Sequence, residues 1–152
     1  MIRRALIADV KIIHQLIAER ADQGHILARP MSELYSQLRD FVVDLDETTG
    51  DIVGCGAMQI VWEDLAEIRS LAVRTSHEGK GAGSRLIDSI LREALEMGIQ
   101  KVFVLTYRPG LFERFGFARM DKSELPHKIW ADCIRCTKFP ECDEIALVRT
   151  VE

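Results

Sequence analysis

Hydrophobic and polar positions change period several times along the chain, and each change marks an element. Residues 2–6 predict a short strand. Over residues 10–20, Ile13, Leu16 and Ile17 recur at helical spacing, with Asp9 placed as N-cap and Gly24 as the stop. Ser32 is placed to cap a second helix with Leu34, Tyr35 and Leu38 on one face. Residues 41–45 read as a strand, the stretch DETTGD as a hairpin turn, and residues 52–62 and 65–73 as two longer strands. The strongest helix spans residues 84–97, where Leu86, Ile87, Ile90, Leu91, Ala94 and Leu95 form one apolar stripe and Gly98 ends it. Residues 101–106 are almost continuously apolar, as in a strand covered on both faces. A short helix over 110–115, a strand from Phe117, a short helix near 126–132 and an alternating strand over 144–151 complete the order β-α-α-β-β-β-α-β-α-β-β. This order predicts an α/β fold built on a mixed sheet.

A length of 152 residues suits one domain with one sizeable core, taken here as 1–152. The chain is 47% hydrophobic and 29% charged, as in ordinary globular proteins. Its net charge of −4 argues against a general nucleic-acid binder. No apolar run approaches the roughly 20 residues that span a bilayer. The opening MIRRALIADV is basic without the long apolar stretch of a signal peptide, so the expected location is the cytoplasm.

The most informative stretch is Glu78-Gly79-Lys80-Gly81-Ala82-Gly83, which continues into Ser84. It joins a predicted strand to the strongest predicted helix. Glycines at alternate positions leave backbone N–H groups uncovered, and the helix adds its own unsatisfied N–H groups and positive dipole end. Together these suit a phosphate or pyrophosphate. The Gly-Lys-Ser/Thr ending of a nucleotide P-loop is missing. A dinucleotide fingerprint would need a third glycine where Ser84 stands.

The loop resembles the Arg/Gln-x-x-Gly-x-Gly/Ala acetyl-CoA loop of the GNAT acetyltransferase superfamily, with Gly81 and Gly83 on its glycines. EIRSLAV resembles that superfamily's central strand, and LFERFGF its helix-to-strand signature near the C-terminus. The element order also matches. The resemblance implies a mostly antiparallel, twisted mixed sheet with helices on both faces. It implies acetyl-CoA as cosubstrate, held by Glu78, Gly79, Lys80, Gly81, Ala82, Gly83 and Ser84 and by the backbones of Leu71, Ala72 and Val73. Homodimers are common in the superfamily. Two positions depart from its pattern. Glu78 replaces the usual Arg or Gln and, unless it turns to solvent, would repel a pyrophosphate, leaving Lys80 as the local cation. Phe112 replaces the tyrosine that protonates the leaving thiolate.

Strand alternation places Glu67, Arg69, Leu71 and Val73 on one face. Glu67 stands where several superfamily members keep a glutamate general base; the alternative is a strand-surface residue paired with Arg69. Tyr107, at a strand end, is the nearest replacement for the missing acid, or else packs at the rim. The oxyanion of acyl transfer would fall to a backbone N–H of the central strand such as that of Leu71.

LAEIRSLAV, KVFVLTYRPGLFERFGF and LPHKIWADCIRC together resemble the amino-acid N-acetyltransferases, most of all the short, stand-alone N-acetylglutamate synthase family. That resemblance implies L-glutamate as acceptor, N-acetyl-L-glutamate as product and a place in arginine biosynthesis. Two substrate carboxylates call for guanidinium or ammonium partners. Arg29, beside Pro30, is the leading candidate, followed by Arg69, Arg108 and Lys128. Glutamine, another small amine, or a non-catalytic acyl-CoA sensor remain alternatives. Cys133, Cys136 and Cys142, with His127 or Asp143, could form a structural zinc site; without a second Cys-x-x-Cys pair, unligated or redox-active thiols are the other readings. Cys55 reads as a small core residue, and His14, His25 and His77 as surface or packing residues.

Overall fold

The computed structural model of the chain describes residues 1–22, 26, 28–125 and 144–151. The elements are β1 (Ile2–Arg4), α1 (Val10–Asp22), α2 (Met31–Ser36), β2 (Phe41–Leu45), β3 (Ile52–Trp62) and β4 (Leu65–Val73). They continue with α3 (Ala82–Met97), β5 (Lys101–Thr106), α4 (Pro109–Glu113), β6 (Ala118–Met120) and β7 (Ile145–Thr150). The strands form one seven-stranded sheet in the order β1-β2-β3-β4-β5-β7-β6. Among the described residues, all pairings are antiparallel except β4 with β5. Parallel neighbours need a crossover connection, and α3 provides it.

Helices cover both faces. On one, Leu86, Ile87, Ile90, Leu91 and Ala94 of α3 pack on Val42, Met58, Ala66, Ile68, Val102 and Val104. Leu86 and Ile87 are fully buried, each worth about 1.5–3 kcal/mol in apolar transfer. Leu95, expected in the same stripe, is instead half exposed. Gly54 and Gly56 of β3 let α3 approach closely: a Cβ at Gly54 would lie 3.0 Å from the Leu86 Cδ1, and one at Gly56 3.2 Å from the Ile90 Cδ1. On the other face, Val10, Ile13, Leu16 and Ile17 of α1 and Leu34 of α2 pack against Phe41, Val43, Cys55 and Ala57.

Two helix starts differ from expectation. A 3-10 turn over Ile7–Asp9 precedes α1, and Asp9 reaches back to accept from the Leu6 N–H at 2.7 Å rather than capping from outside the helix. Pro30, not Ser32, is the N-cap of α2, and Ser32 lies inside the helix. Pro is well suited to a helix start because its φ is preset and a free N–H there has no helical partner. Tyr35 is exposed rather than on the buried face with Leu34. The end of α3 is as expected: Gly98, left-handed at φ 83°, lets the Ile99 N–H return to Ala94 O at 2.9 Å.

Candidate active site

The strand pair β4–β5 opens into a fork. The two strands are in register from Leu65↔Lys101 to Ile68↔Val104 and no further, although β4 runs on to Val73. The cause lies on the other edge of β4. Ala57 pairs with Arg69 and Cys55 with Ala72, so Ser70 and Leu71 together oppose the single residue Gly56. This is a β-bulge, and a bulge bends its strand. Ser70 takes φ 54°, the one described non-glycine residue with positive φ. The bulge begins at Ser70, two residues after the last β4–β5 pair.

The bulge also corrects the face assignment. Ala66, Ile68, Leu71 and Val73 all pack toward α3, whereas Glu67 and Arg69 lie on the opposite face. Strict alternation would have kept Glu67, Arg69, Leu71 and Val73 together; the extra residue at Ser70 shifts the phase by one.

On that opposite face a buried polar cluster forms. Arg29, buried in the loop before α2, donates from Nη1 to Ser70 Oγ at 3.4 Å. Its Nε stands 3.4 Å from Glu33 Oε2 and its Nη2 donates to Gln37 Oε1. Arg69 donates to Gln59 Oε1 and sits 3.6 Å from the buried Glu67 carboxylate through Nε. Both arginines act on Asp40: burial raises that carboxyl above its usual range, while Arg29 and Arg69 pull it back. Arg69 thus faces Glu67, and Arg29 faces the neighbouring Ser70, where β4 leaves β5. Tyr107 follows the end of β5 on the other prong of the fork.

The glycine loop lies beyond the tip of β4. Gly79 (φ 75°) and Gly81 (φ 86°) are both left-handed, a conformation costly for other residues. Gly81 is the N-cap of α3; no side chain caps this end, and the first turn carries no acidic residue. The initial N–H groups of α3 are thus left for an anion. The side chain of Glu78 stays 37% exposed and its carboxylate pairs with Arg20 of α1. Arg85, in the first turn of α3, binds Asp44 Oδ2 through Nε and Nη2 at 3.1 and 2.8 Å and gives Nη1 to Lys80 O at 3.1 Å.

The sequence matches the acetyltransferase (GNAT) family over residues 13–117. The chain belongs to the GNAT acetyltransferases. It is 38% identical over 150 residues to an uncharacterized N-acetyltransferase of Chlorobaculum tepidum, covering 99% of this chain and 96% of the relative. It is also 33% identical over 136 residues to an amino-acid acetyltransferase of Mycobacterium tuberculosis, covering 89% and 78%. Among solved structures, a Mycobacterium tuberculosis protein in complex with CoA and NLQ superposes at a TM-score of 0.86 with 27% identity, over 100% of this chain and 99% of that one. N-acetylglutamate synthase from Neisseria gonorrhoeae, complexed with coenzyme A and N-acetyl-glutamate, superposes at 0.89 with 28% identity. This chain spans all of its own length in that match but 35% of the synthase. It is an N-acetyltransferase of GNAT type.

In this GNAT acetyltransferase, several expected site residues converge and others do not. Glu67, Arg69 and Arg29 share the face beside the fork. Arg108 is exposed at the N-cap of α4, its N–H bound to Thr106 Oγ1 at 2.9 Å. Phe112 is a core residue, edge-on to Phe117 with ring centroids 5.5 Å apart. Burial pushes the Cys55 thiol up to about 12, which keeps it protonated and inert. Lys128, His25, His127, Cys133, Cys136, Cys142 and Asp143 lie outside the described residues, as does the short helix expected near 126–132. Sequence reasoning missed Ser70, Gln37, Gln59, Arg20, Asp44 and Arg85. Two of these left a trace: Arg20 continues the apolar stripe of Ile13, Leu16 and Ile17, and Asp44 interrupts an otherwise apolar strand.

Proposed function

We propose that the enzyme acetylates the α-amino group of an amino acid, with L-glutamate as the leading acceptor, giving N-acetyl-L-glutamate and CoA. The observation that carries this reading is the pair of arginines, Arg29 and Arg69, beside Glu67 at the fork. A planar guanidinium matches a carboxylate with two parallel N–H donors, so an acceptor with two carboxylates suits the pair. The amino-acid acetyltransferase relatives support the same class, as does the N-acetyl-glutamate complex of a structural neighbour. Where the relatives are longer, as in the Neisseria meningitidis amino-acid acetyltransferase, this chain covers only 29% of them.

The glycine loop fits the pyrophosphate of acetyl-CoA. A Cβ at Gly81 would fall 3.3 Å from Arg85 Nη1 as well as straining φ, so glycine keeps the cradle clear. The loop from Glu78 to Ser84 would hold that pyrophosphate and the backbone of Leu71, Ala72 and Val73 the pantetheine arm. Acetyl-CoA supplies the thioester whose carbonyl carbon the acceptor amine attacks, the C–S bond breaking to leave the CoA thiolate. On the protein side, Arg29 and Arg69 orient the acceptor through its carboxylates. Glu67 accepts the proton lost by the amine. The N–H of Leu71, in the bulge, is placed on the strand that would face the developing oxyanion. Tyr107 is the candidate proton donor to the thiolate.

A second acceptor, glutamine, is favoured by one feature. Arg29 already faces Glu33, and Arg69 already faces Glu67. Each cation thus starts with a partner, and an acceptor bringing one carboxylate and one amide would need less rearrangement. Release of CoA from acetyl-CoA, measured with L-glutamate, L-glutamine, L-aspartate, lysine and spermidine, decides between them. Selective turnover of glutamate upholds the leading reading, and selective turnover of glutamine installs the second. Arg29→Ala is expected to raise the KM of the accepted amino acid about tenfold or more while leaving that of acetyl-CoA unchanged. Turnover confined to spermidine would remove the amino-acid assignment.

A further inference from the structure

The carboxylate of Glu78 sits in a loop assigned to a pyrophosphate, where simple electrostatics makes it a defect. Its surroundings indicate otherwise. Arg20, whose side chain is only 8% exposed, pairs with Glu78 and donates from the same Nη2 to the Val73 carbonyl at 2.7 Å. One guanidinium therefore ties the last residue of β4 to the first residue of the glycine loop. Arg85 does the same at the other end, joining the Lys80 carbonyl to the fully buried Asp44. The turn between them is also secured: Arg74 Nε donates to Ile52 O at 2.8 Å and His77 Nε2 lies 3.1 Å from Asp46 Oδ2.

We propose that Arg20 and Glu78 are a positioning pair for CoA: Glu78 is the anchor by which α1 holds the glycine loop in its binding conformation. The cation beside the loop is supplied from α1, and the loop carries the carboxylate that receives it. The benefit is preorganisation. A loop with two left-handed glycines loses much backbone entropy when it orders, and a brace in the free protein removes that cost from the binding step. Pairing with Arg20 also offsets the Glu78 charge beside the loop. The proposal rests on the loop being the CoA cradle, as assigned above.

The two views predict opposite signs. If Glu78 merely repels phosphate, removing its charge tightens CoA binding. If it anchors the loop, removing it weakens binding. The experiment is calorimetric titration of CoA into the full chain free of ligand, for wild type, Glu78→Gln, Glu78→Ala and Gly81→Val. The expected order of affinity is wild type, then Glu78→Gln, then Glu78→Ala. The alanine variant should be weakened about tenfold, the scale of one charge-assisted hydrogen bond. The glutamine variant should be partly rescued, because its amide oxygen still accepts from Arg20. In steady-state assays the KM for acetyl-CoA should rise in the same order, and by a larger factor than any change in kcat or in the KM of the acceptor. Equal or tighter CoA binding by both Glu78 variants overturns the proposal. Gly81→Val keeps the two assignments separable. If it abolishes CoA binding while the Glu78 variants bind normally, the cradle stands and the brace falls. If it binds CoA like wild type, the cradle assignment fails and the brace fails with it.

Discussion

Glu67 is buried, close to Arg69, and one residue before the fork opens. Both readings of it from sequence, base and ion-pair partner, are compatible with that geometry, because a carboxylate held by a guanidinium still has lone pairs for an amine proton. Glu67→Gln keeps the shape and removes the proton acceptor, so kcat should fall by about 10²-fold or more near neutral pH. The deficit should shrink as pH rises above about 8, where an α-amine loses its proton unaided. A pH–rate profile identical to wild type would remove the base role. Arg29, Arg69 and Glu67 were each legible in the sequence as candidates by residue type and position. Ser70 and Gln37 were not, because their importance arises only when Arg29 is carried to β4 across 41 positions of sequence. Phe112 shows the converse: its sequence signalled a missing acid, and the structure shows what took its place, an aromatic pair in the core beneath α3.

At the scale of elements, the bulge in β4 has the largest consequences. It bends the strand away from β5, exchanges the faces of the residues beyond it and puts Ser70 Oγ within reach of Arg29. Strand alternation is a reliable guide only while two strands keep one register, and a bulge is specified by cross-strand fit with Gly56 rather than by any residue of β4 alone. Positive φ at a serine costs roughly 1 kcal/mol or more that glycine does not pay. Ser70→Gly should therefore leave the melting temperature equal or higher while raising the KM of the acceptor through loss of the contact to Arg29. Ser70→Val places a β-branched residue in the same conformation and should destabilise the chain by about 1–3 kcal/mol in denaturant unfolding. A Ser70→Gly variant with an unaltered acceptor KM would separate the bulge from the binding site. The loop and α3 were far more legible, because glycine spacing and a 3.6-residue stripe are local signals that survive folding unchanged.

For the molecule as a whole, the sheet's β1 edge is tied down by charge. Arg3 binds both oxygens of Asp9, at 2.7 and 3.2 Å, while Asp9 also accepts the Leu6 N–H. The hydrogen bond to Arg3, above all, holds the Asp9 carboxyl below its ordinary range. A carboxyl whose pKa is depressed by folding adds stability above its unfolded value, and that stability is lost as pH falls through the folded one. Thermal unfolding should thus show a loss of stability below about pH 4 that Asp9→Asn largely removes; an unchanged acid profile in that variant would assign the loss to other carboxyls. The sequence by itself determined the order of elements, the boundaries of β3, β4 and β5, the glycine loop ahead of α3 and the family, since all of these rest on periodicity and on residues adjacent in the chain. It did not determine that β7 inserts between β5 and β6, that β4 parts from β5 at Ile68, that Glu78 faces Arg20, or that Arg29 reaches Ser70. Those are contacts between distant segments, and their energies exist only once the sheet and its two helical layers have brought the segments together.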